Sequence, residues 1–279
     1  MGIKCIALDL DRTTLDARGR LSEKNKEALE EAARRGIQIV VASGRALSTL
    51  PEDIVALKGV RYAITSNGAA VYDMERGECL KQYKMSRESV EQVLACTRDC
   101  PVSYEAFVDG KAYASGAYVE DPVSFGASSR AVGYIQGTRI PVEDIVSFIG
   151  ANAGRLDSMD IVVGSQEEKA RLWKILSEKV SDVYITSSVP QLLELSYKES
   201  GKHTGAAFLL DYLGIGREEL AAFGDGDNDA ELLAFAGLGI AVENASSACL
   251  AAADYVTLAH DKDGVAQGIW NIMDENTER

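Results

Sequence analysis

Short apolar runs at residues 3–8, 37–42 and 62–65 are each followed at once by polar or glycine-bearing segments: Asp9-Leu10-Asp11, Ser43-Gly44-Arg45 and Ser66-Asn67-Gly68. Runs of this length bounded by turn residues read as strands buried on both faces. Between the first two, Ala28, Leu29, Ala32 and Ala33 recur at helical spacing, with Ser22 placed to cap a helix over 22–35 and Gly36 to end it. A second helix is expected near 46–57. Successive strands that all end in small or polar residues suit one parallel sheet with its functional groups along the carboxyl edge.

The rhythm changes after about residue 83. The pattern predicts a helix over 86–98, then a hairpin of strands 102–108 and 111–115 turning at Asp109-Gly110. Residues 116–139 are rich in Gly and Ser and carry no clear period. Helices near 142–152 and over 166–180, with strands at 160–163, 183–186 and 192–196, complete an α+β segment. The βα rhythm then returns: helix 205–213, strand 220–223, helix 228–235, strand 238–242, helix 246–253, strand 255–258 and a last helix from Gly264. The expected fold class is therefore α/β, a Rossmann-like core with a parallel sheet built from 1–83 and 190–279, into which an α+β domain at 84–189 is inserted.

Length and charge narrow the possibilities. At 279 residues two domains are the better expectation, and 46% hydrophobic residues supply a large core. The net charge of −14 argues against nucleic acid or an anionic membrane as partner, since both are held by clustered Lys and Arg. Five scattered cysteines form no CxxC pair, which suits reduced thiols in a cytoplasmic protein. No stretch reads as a signal peptide or membrane span.

Two acidic clusters carry the chemistry. Asp9-Leu10-Asp11 ends the first strand, and Gly224-Asp225-Gly226-Asp227-Asn228-Asp229 follows the strand at 220–223. Brought side by side, so many carboxylates repel unless a cation lies among them, and Mg2+ prefers such oxygen ligands. A carboxylate beside such an ion can attack phosphorus and split a hard displacement into two easier steps, while a second acid moves protons. Asp9 and Asp11, alternate residues at a strand end, suit those two roles. Ser43 and Lys202 could hold phosphoryl oxygens.

Each motif also has a plainer reading. Asp9 and Asp11 alone could be turn formers, Lys202 a solvated helix-start lysine, and Arg45 either a substrate contact or the partner of an acid. Asn67-Gly68 reads as a turn. A calcium loop at 225–236 lacks its glycine, since Ala230 stands there, and its last acid, replaced by Ala236. With two histidines only, His203 and His260, a histidine-based metal site is disfavoured, and both are expected at the surface.

Together, Asp9-Leu10-Asp11-Arg12-Thr13, Ser43-Gly44-Arg45, Lys202-His203-Thr204-Gly205 and Gly224-Asp225-Gly226-Asp227-Asn228-Asp229 resemble the haloacid dehalogenase superfamily, more narrowly its Cof-type phosphatases with a C2-type cap. Thr65-Ser66-Asn67-Gly68-Ala69 and Ile240-Ala241-Val242-Glu243-Asn244-Ala245 add to the match. The resemblance implies a Mg2+-dependent phosphatase of small phosphorylated metabolites, monomeric or homodimeric. Asp9 would be the nucleophile and Asp11 the general acid/base. Asp9, Asp11 through its backbone carbonyl, and Asp225 would hold the metal, supported by Asp229. Ser43, Gly44, Lys202 and Asn228 would contact the phosphate, with Arg45 beside them. The alternatives are a sugar phosphomutase of the phosphomannomutase type and a non-catalytic phospho-ligand sensor. Two departures stand out: Arg12 occupies a position where this family usually has Gly, and Thr14 one where it usually has an apolar residue.

Overall fold

The computed structural model describes residues 2–278. In chain order, the first run comprises β1 (Cys5–Leu8), α1 (Glu23–Arg34), β2 (Gln38–Ala42), α2 (Glu52–Val55), β3 (Val60–Thr65), β4 (Ala70–Asp73) and β5 (Glu78–Gln82). The next comprises α3 (Arg87–Thr97), β6 (Ser103–Val108), β7 (Lys111–Ser115), α4 (Gly116–Glu120), α5 (Val132–Thr138), β8 (Ile140–Val142), α6 (Ile145–Ala151), β9 (Leu156–Val162), α7 (Gln166–Lys179), β10 (Val183–Thr186) and β11 (Leu192–Tyr197). The last comprises α8 (Lys202–Leu213), β12 (Leu220–Gly224), α9 (Ala230–Phe235), β13 (Leu238–Val242), α10 (Ser247–Ala252), β14 (Tyr255–Thr257) and α11 (Gly264–Glu278).

The chain divides into two compact units. The first holds residues 1–45, 50–81 and 201–279 and is built on a sheet of order β14-β13-β12-β1-β2-β3-β4-β5. From β14 to β3 neighbouring strands are parallel, and β4 joins antiparallel to β3. Strand order reverses at β1, which lies between β2 and β12. A crevice at the carboxyl ends of strands opens at such a switch point. Cys5, Ala7, Val40, Ala42 and Ala222 pack against Leu209 and Leu210 of α8, Leu232 and Leu233 of α9 and Cys249 of α10. The alternate residues Ile6, Leu8, Ile39 and Phe223 are equally buried, as a sheet covered on both faces requires. On that second side α1 meets α11, where Asn25 accepts from the backbone of Ala266 and donates to the carbonyl of Thr14.

The second unit, residues 46–49 and 82–200, is an α+β domain with a sheet of order β10-β11-β9-β6-β7-β8. Val90 and Val93 of α3, Ile145 and Ile149 of α6, and Leu172 and Leu176 of α7 cover one face, over Tyr104, Ala106, Met159, Ile161, Leu193 and Leu195. The all-antiparallel centre, β10-β11-β9-β6-β7, gives the alternation of facing residues that this packing needs.

Several expectations are corrected. The compact units change at 81/82 and 200/201 rather than at 83/84 and 189/190, because β11 pairs with β9 and β10 and so belongs to the second sheet. The helix expected near 46–57 is instead a short turn and then α2, since Pro51 donates no hydrogen bond and keeps Leu50 out of the helical region. Strand β9 begins at Leu156, four residues before the expected 160, with Asp157, Ser158 and Asp160 breaking its apolar pattern. Residues 116–139 contain α4 and α5, and the helix expected over 142–152 is α6 alone, started by the Asp144 side chain. Among the described residues no helix is long and apolar enough to cross a membrane, and all five cysteines are free.

One contact places α8. Gly68 has φ +89°, and a Cβ there would lie 2.0 Å from the Gly201 carbonyl oxygen. Only two bare backbones let the 66–68 turn touch the start of α8, where Lys202 stands. Gly68→Ala is therefore expected to lower stability by about 1–3 kcal/mol through strain and overpacking. Thermal unfolding against wild type measures this, with an unchanged melting temperature as the contrary result.

Candidate active site

Strand β1 delivers Asp9 to the switch point. Its backbone N–H donates to the Phe223 carbonyl at 3.0 Å, and the Thr14 hydroxyl donates to its carbonyl at 2.5 Å, which fixes the exit of β1 against the end of β12. Asp225 follows β12, and its Oδ1 accepts from the Thr13 hydroxyl at 3.1 Å. The loop then doubles back. Asp229 Oδ2 accepts from the backbone N–H of Asp225 at 3.1 Å and of Gly226 at 2.9 Å, which satisfies donors that the turn leaves open. Asp9, Asp225 and Asp229 are all buried, and each offers an oxygen within 4.8 Å of the others. Asp227, in the same loop, is exposed and outside this cluster.

Lys202, buried at the first position of α8, lies between two of these acids: its Nζ is 2.7 Å from Asp9 Oδ1 and 2.6 Å from Asp229 Oδ1. Burial alone would favour its neutral form, but Asp229 and Asp9 outweigh that and hold the ammonium charged. One buried cation does not balance three acids. Burial, then repulsion from Asp229, raises the Asp9 carboxyl well above its ordinary value despite Lys202. The same two causes raise Asp225 to about 7, with Arg12 and the Thr13 hydrogen bond pulling the other way. An all-oxygen donor set with surplus negative charge fits a hard divalent cation such as Mg2+. Asp9 and Asp225 fit that role best, because both oxygens of Asp229 already serve Lys202 and the loop backbone.

Asp11 points elsewhere. Its side chain is 52% exposed and sits in a fork with Arg45, Nε to Oδ2 and Nη2 to Oδ1, both at 2.7 Å. In this arrangement Arg45 is the partner of the acid. Ser43, buried after β2, accepts from the Arg45 backbone N–H at 3.2 Å. Gly44 lies against the Asn67 amide, where a Cβ would be 3.3 Å away. Asn228 donates to Asn67 Oδ1 at 3.0 Å, which ties the loop after β12 to the turn after β3. That turn is tight, with Ser66 and Asn67 at φ 48° and 51°.

Thr13, Thr14 and Asn67 escape sequence reasoning as site residues. A hydroxyl two positions past an acid pair was the available signal for Thr13. Arg12 keeps a left-handed backbone, φ 62° and ψ 12°, at a cost that glycine would not incur. Its carbonyl accepts from Asn244, and its half-exposed guanidinium lies 3.8 Å from Asp225 Oδ2. The substitution thus leaves the turn in place and adds a cation at the rim of the acidic cluster. His203 and His260 are half-buried rather than surface residues, the first beside Glu231 and the second against the Leu15 carbonyl.

Residues 6–269 match the family model of the haloacid dehalogenase-like hydrolases. The chain is 29% identical to the phosphatase YwpJ of Bacillus subtilis over 97% of its own length and 100% of that protein. It is 28% identical to YcsE of the same organism, named as a 5-amino-6-(5-phospho-D-ribitylamino)uracil phosphatase, over 96% of this chain and 94% of that one. A haloacid dehalogenase-like hydrolase from B. subtilis shares the fold at a TM-score of 0.82, with 26% identity and 96% and 99% of the two chains covered. The subclass IIB sugar phosphatase BT4131 superposes with the same TM-score at 23% identity, over 97% and 99%. The chain belongs to the haloacid dehalogenase-like hydrolases.

Proposed function

We propose that the protein hydrolyses small phosphate monoesters, sugar phosphates or compounds like them, with Mg2+ and through an aspartyl-phosphate on Asp9. The observation that carries this reading is Asp9 itself: a buried carboxylate held by Lys202 and crowded by Asp225 and Asp229 at a strand-order switch point. Asp9 and Asp225 would hold the ion, with the Asp11 carbonyl as a further ligand and Asp229 supporting. When bound, it would offset the acids and the charge on the phosphoryl oxygens.

In the first step an Asp9 oxygen bonds to phosphorus as the ester oxygen leaves, and Asp11 gives that oxygen a proton. In the second, water attacks the same phosphorus, Asp11, now a carboxylate, takes a proton from that water, and the Asp9 carboxylate is released with inorganic phosphate. Lys202 keeps the nucleophile oriented, and Ser43, Gly44 and Asn228 surround the phosphoryl group. The fork with Arg45 occupies both oxygens of Asp11, so Asp11 must turn away from it to reach a leaving oxygen or water. Arg45 is then available to the substrate. The inserted unit is the part that recognises the alcohol half of the ester.

The test is phosphate release from a panel of sugar phosphates, nucleotides, pyridoxal phosphate and the ribitylaminouracil phosphate named for YcsE, with Mg2+ or with a chelator. Release that needs Mg2+ is expected. Conversion of a sugar 1-phosphate to its 6-phosphate without release would replace hydrolysis by a mutase reaction. Asp11→Asn is expected to lower turnover by roughly 10^2- to 10^4-fold, the usual reach of general acid–base catalysis. Turnover within a factor of two of wild type would remove Asp11 from that role.

A further inference from the structure

Arg12 is rooted more firmly than a loop arginine need be. The turn after β1 holds it at φ 62° and ψ 12°, a conformation that costs energy for any residue with a side chain. Two other loops brace that turn. Asn244, just past β13, donates to the Arg12 carbonyl at 2.9 Å and accepts from the His260 backbone N–H at 2.9 Å. The His260 ring in turn lies 3.0 Å from the Leu15 carbonyl, on the far side of Arg12. The backbone is thus fixed on both sides, and with it the direction in which the side chain leaves. It leaves toward the acids: Nη1 is 3.8 Å from Asp225 Oδ2, while the side chain stays 53% exposed.

The three buried acids share two cations unequally. Lys202, whose side chain is fully buried, hydrogen-bonds Asp9 at 2.7 Å and Asp229 at 2.6 Å. Asp225 receives none of that charge by contact. Its Oδ1 accepts from the neutral Thr13 hydroxyl, and among the described residues Arg12 is the one cation at ion-pair distance from it. The two cations differ in whether they can leave. Lys202 is enclosed and donates to both partners, so expelling it would strand two buried charges. Arg12 is too far from Asp225 for a hydrogen bond, keeps half its surface in water, and has no other acid at ion-pair distance among the described residues. Giving up Asp225 costs it little, as for exposed ion pairs in general.

Asp225 is also one of the two carboxylates best placed for Mg2+, and a divalent ion held there would meet Arg12 as a like charge beside the same carboxylate. We propose that Arg12 is a resident counter-ion that competes with Mg2+ for Asp225. It covers this acid in the metal-free protein, gives way as the metal takes the carboxylate, and so lowers the affinity of the site for the metal. Mg2+ occupancy is then reached at a higher concentration of free ion than the three acids alone would require, and turnover follows the supply of the ion over that higher range. This rests on the reading that Asp9 and Asp225 hold Mg2+ in a phosphatase.

The experiment is calorimetric titration of the metal-free protein with MgCl2 at pH 8, in wild type, Arg12→Gln and Arg12→Lys. Glutamine keeps a long polar side chain on the same left-handed backbone without the charge, and lysine keeps the charge. Arg12→Gln is expected to bind Mg2+ about fivefold to thirtyfold more tightly than wild type, the effect of one half-exposed unit charge on a divalent ion beside it in a medium close to water. Arg12→Lys should stay within about threefold of wild type, and salt at about 0.5 M should shrink the difference between glutamine and arginine. Mg2+ should also raise the melting temperature further in Arg12→Gln than in wild type at the same concentration, a readout independent of turnover. An affinity that Arg12→Gln leaves unchanged or weakens, or that Arg12→Lys tightens as much as glutamine does, would overturn the proposal. Two further results separate it from the reading beneath it. Mg2+-dependent release of phosphate from p-nitrophenyl phosphate, with equal Mg2+ affinity in wild type and Arg12→Gln, would keep the phosphatase and reject the counter-ion. Mg2+ bound as tightly by Asp225→Asn as by wild type would count against the metal site itself and end the competition with it.

Discussion

Asp9→Asn is expected to lower phosphate release by at least about 10^4-fold, as loss of a covalent nucleophile does, while leaving the fold and its melting temperature nearly unchanged. The amide keeps the shape of the carboxylate and can still accept from Lys202, which stays paired with Asp229 at 2.6 Å. It cannot serve as the nucleophile that forms the acyl-phosphate. Two opposing effects cancel in stability: the ion pair to Lys202 is weakened, but repulsion from Asp229 and Asp225 is relieved. Phosphate release and thermal unfolding on one preparation test both halves. Turnover within tenfold of wild type would exclude Asp9 as nucleophile. Lost turnover in a protein melting well below wild type would leave misfolding as its cause, and Asp9→Ser would then be the variant that separates the two.

Much of the first unit is legible because buried parallel strands write themselves as short apolar runs with abrupt ends. The residues just past β1, β2 and β12, namely Asp9, Ser43 and Asp225, are readable for that reason. Lys202 is harder, since a helix-start lysine is usually solvated. Its burial depends on Gly68 and Gly201 meeting backbone to backbone across more than a hundred residues of chain. The pairing of Arg45 with Asp11, and the commitment of Asp229 to its own loop, are likewise set by tertiary distances that no spacing encodes.

The inserted unit was less legible for a different reason. Strand β9 reads Leu-Asp-Ser-Met-Asp-Ile-Val, and its buried acids hide the strand from a search for apolar alternation. The insertion ends at 200/201 and not at the expected 189/190 because β11, by its own residues, resembles any apolar strand. Its sheet membership is decided by β9, its hydrogen-bonded neighbour, and not by its own residues.

Lys202→Met should be the most destabilising single change at the site, by about 3–5 kcal/mol for removing one partner of a buried ionic group. Methionine keeps the length and apolar stem of lysine, so the loss is electrostatic: Asp9 and Asp229 would face each other without the ammonium that now lies between them. The pH dependence separates this cause from packing. In wild type Lys202 is held charged, its value raised by Asp229 and Asp9, so its contribution is complete below the ordinary lysine value and is lost only at pH above the working range. In the metal-free variant the acids govern instead. Asp9 already has a raised value, and an acid raised in the folded state binds more protons folded than unfolded, so stability grows as pH falls towards the ordinary carboxylate value. The gap in melting temperature between Lys202→Met and wild type should therefore narrow from pH 8 to pH 5 in EDTA. At pH 8, Mg2+ should recover part of it by replacing the lost positive charge. A gap independent of both pH and Mg2+ would show that Lys202 acts by packing alone. Turnover should fall by roughly 10^2- to 10^3-fold, the loss expected for one preorganised electrostatic contact, and Mg2+ should not restore it, because charge returned to the acids does not return the Nζ donor that orients Asp9.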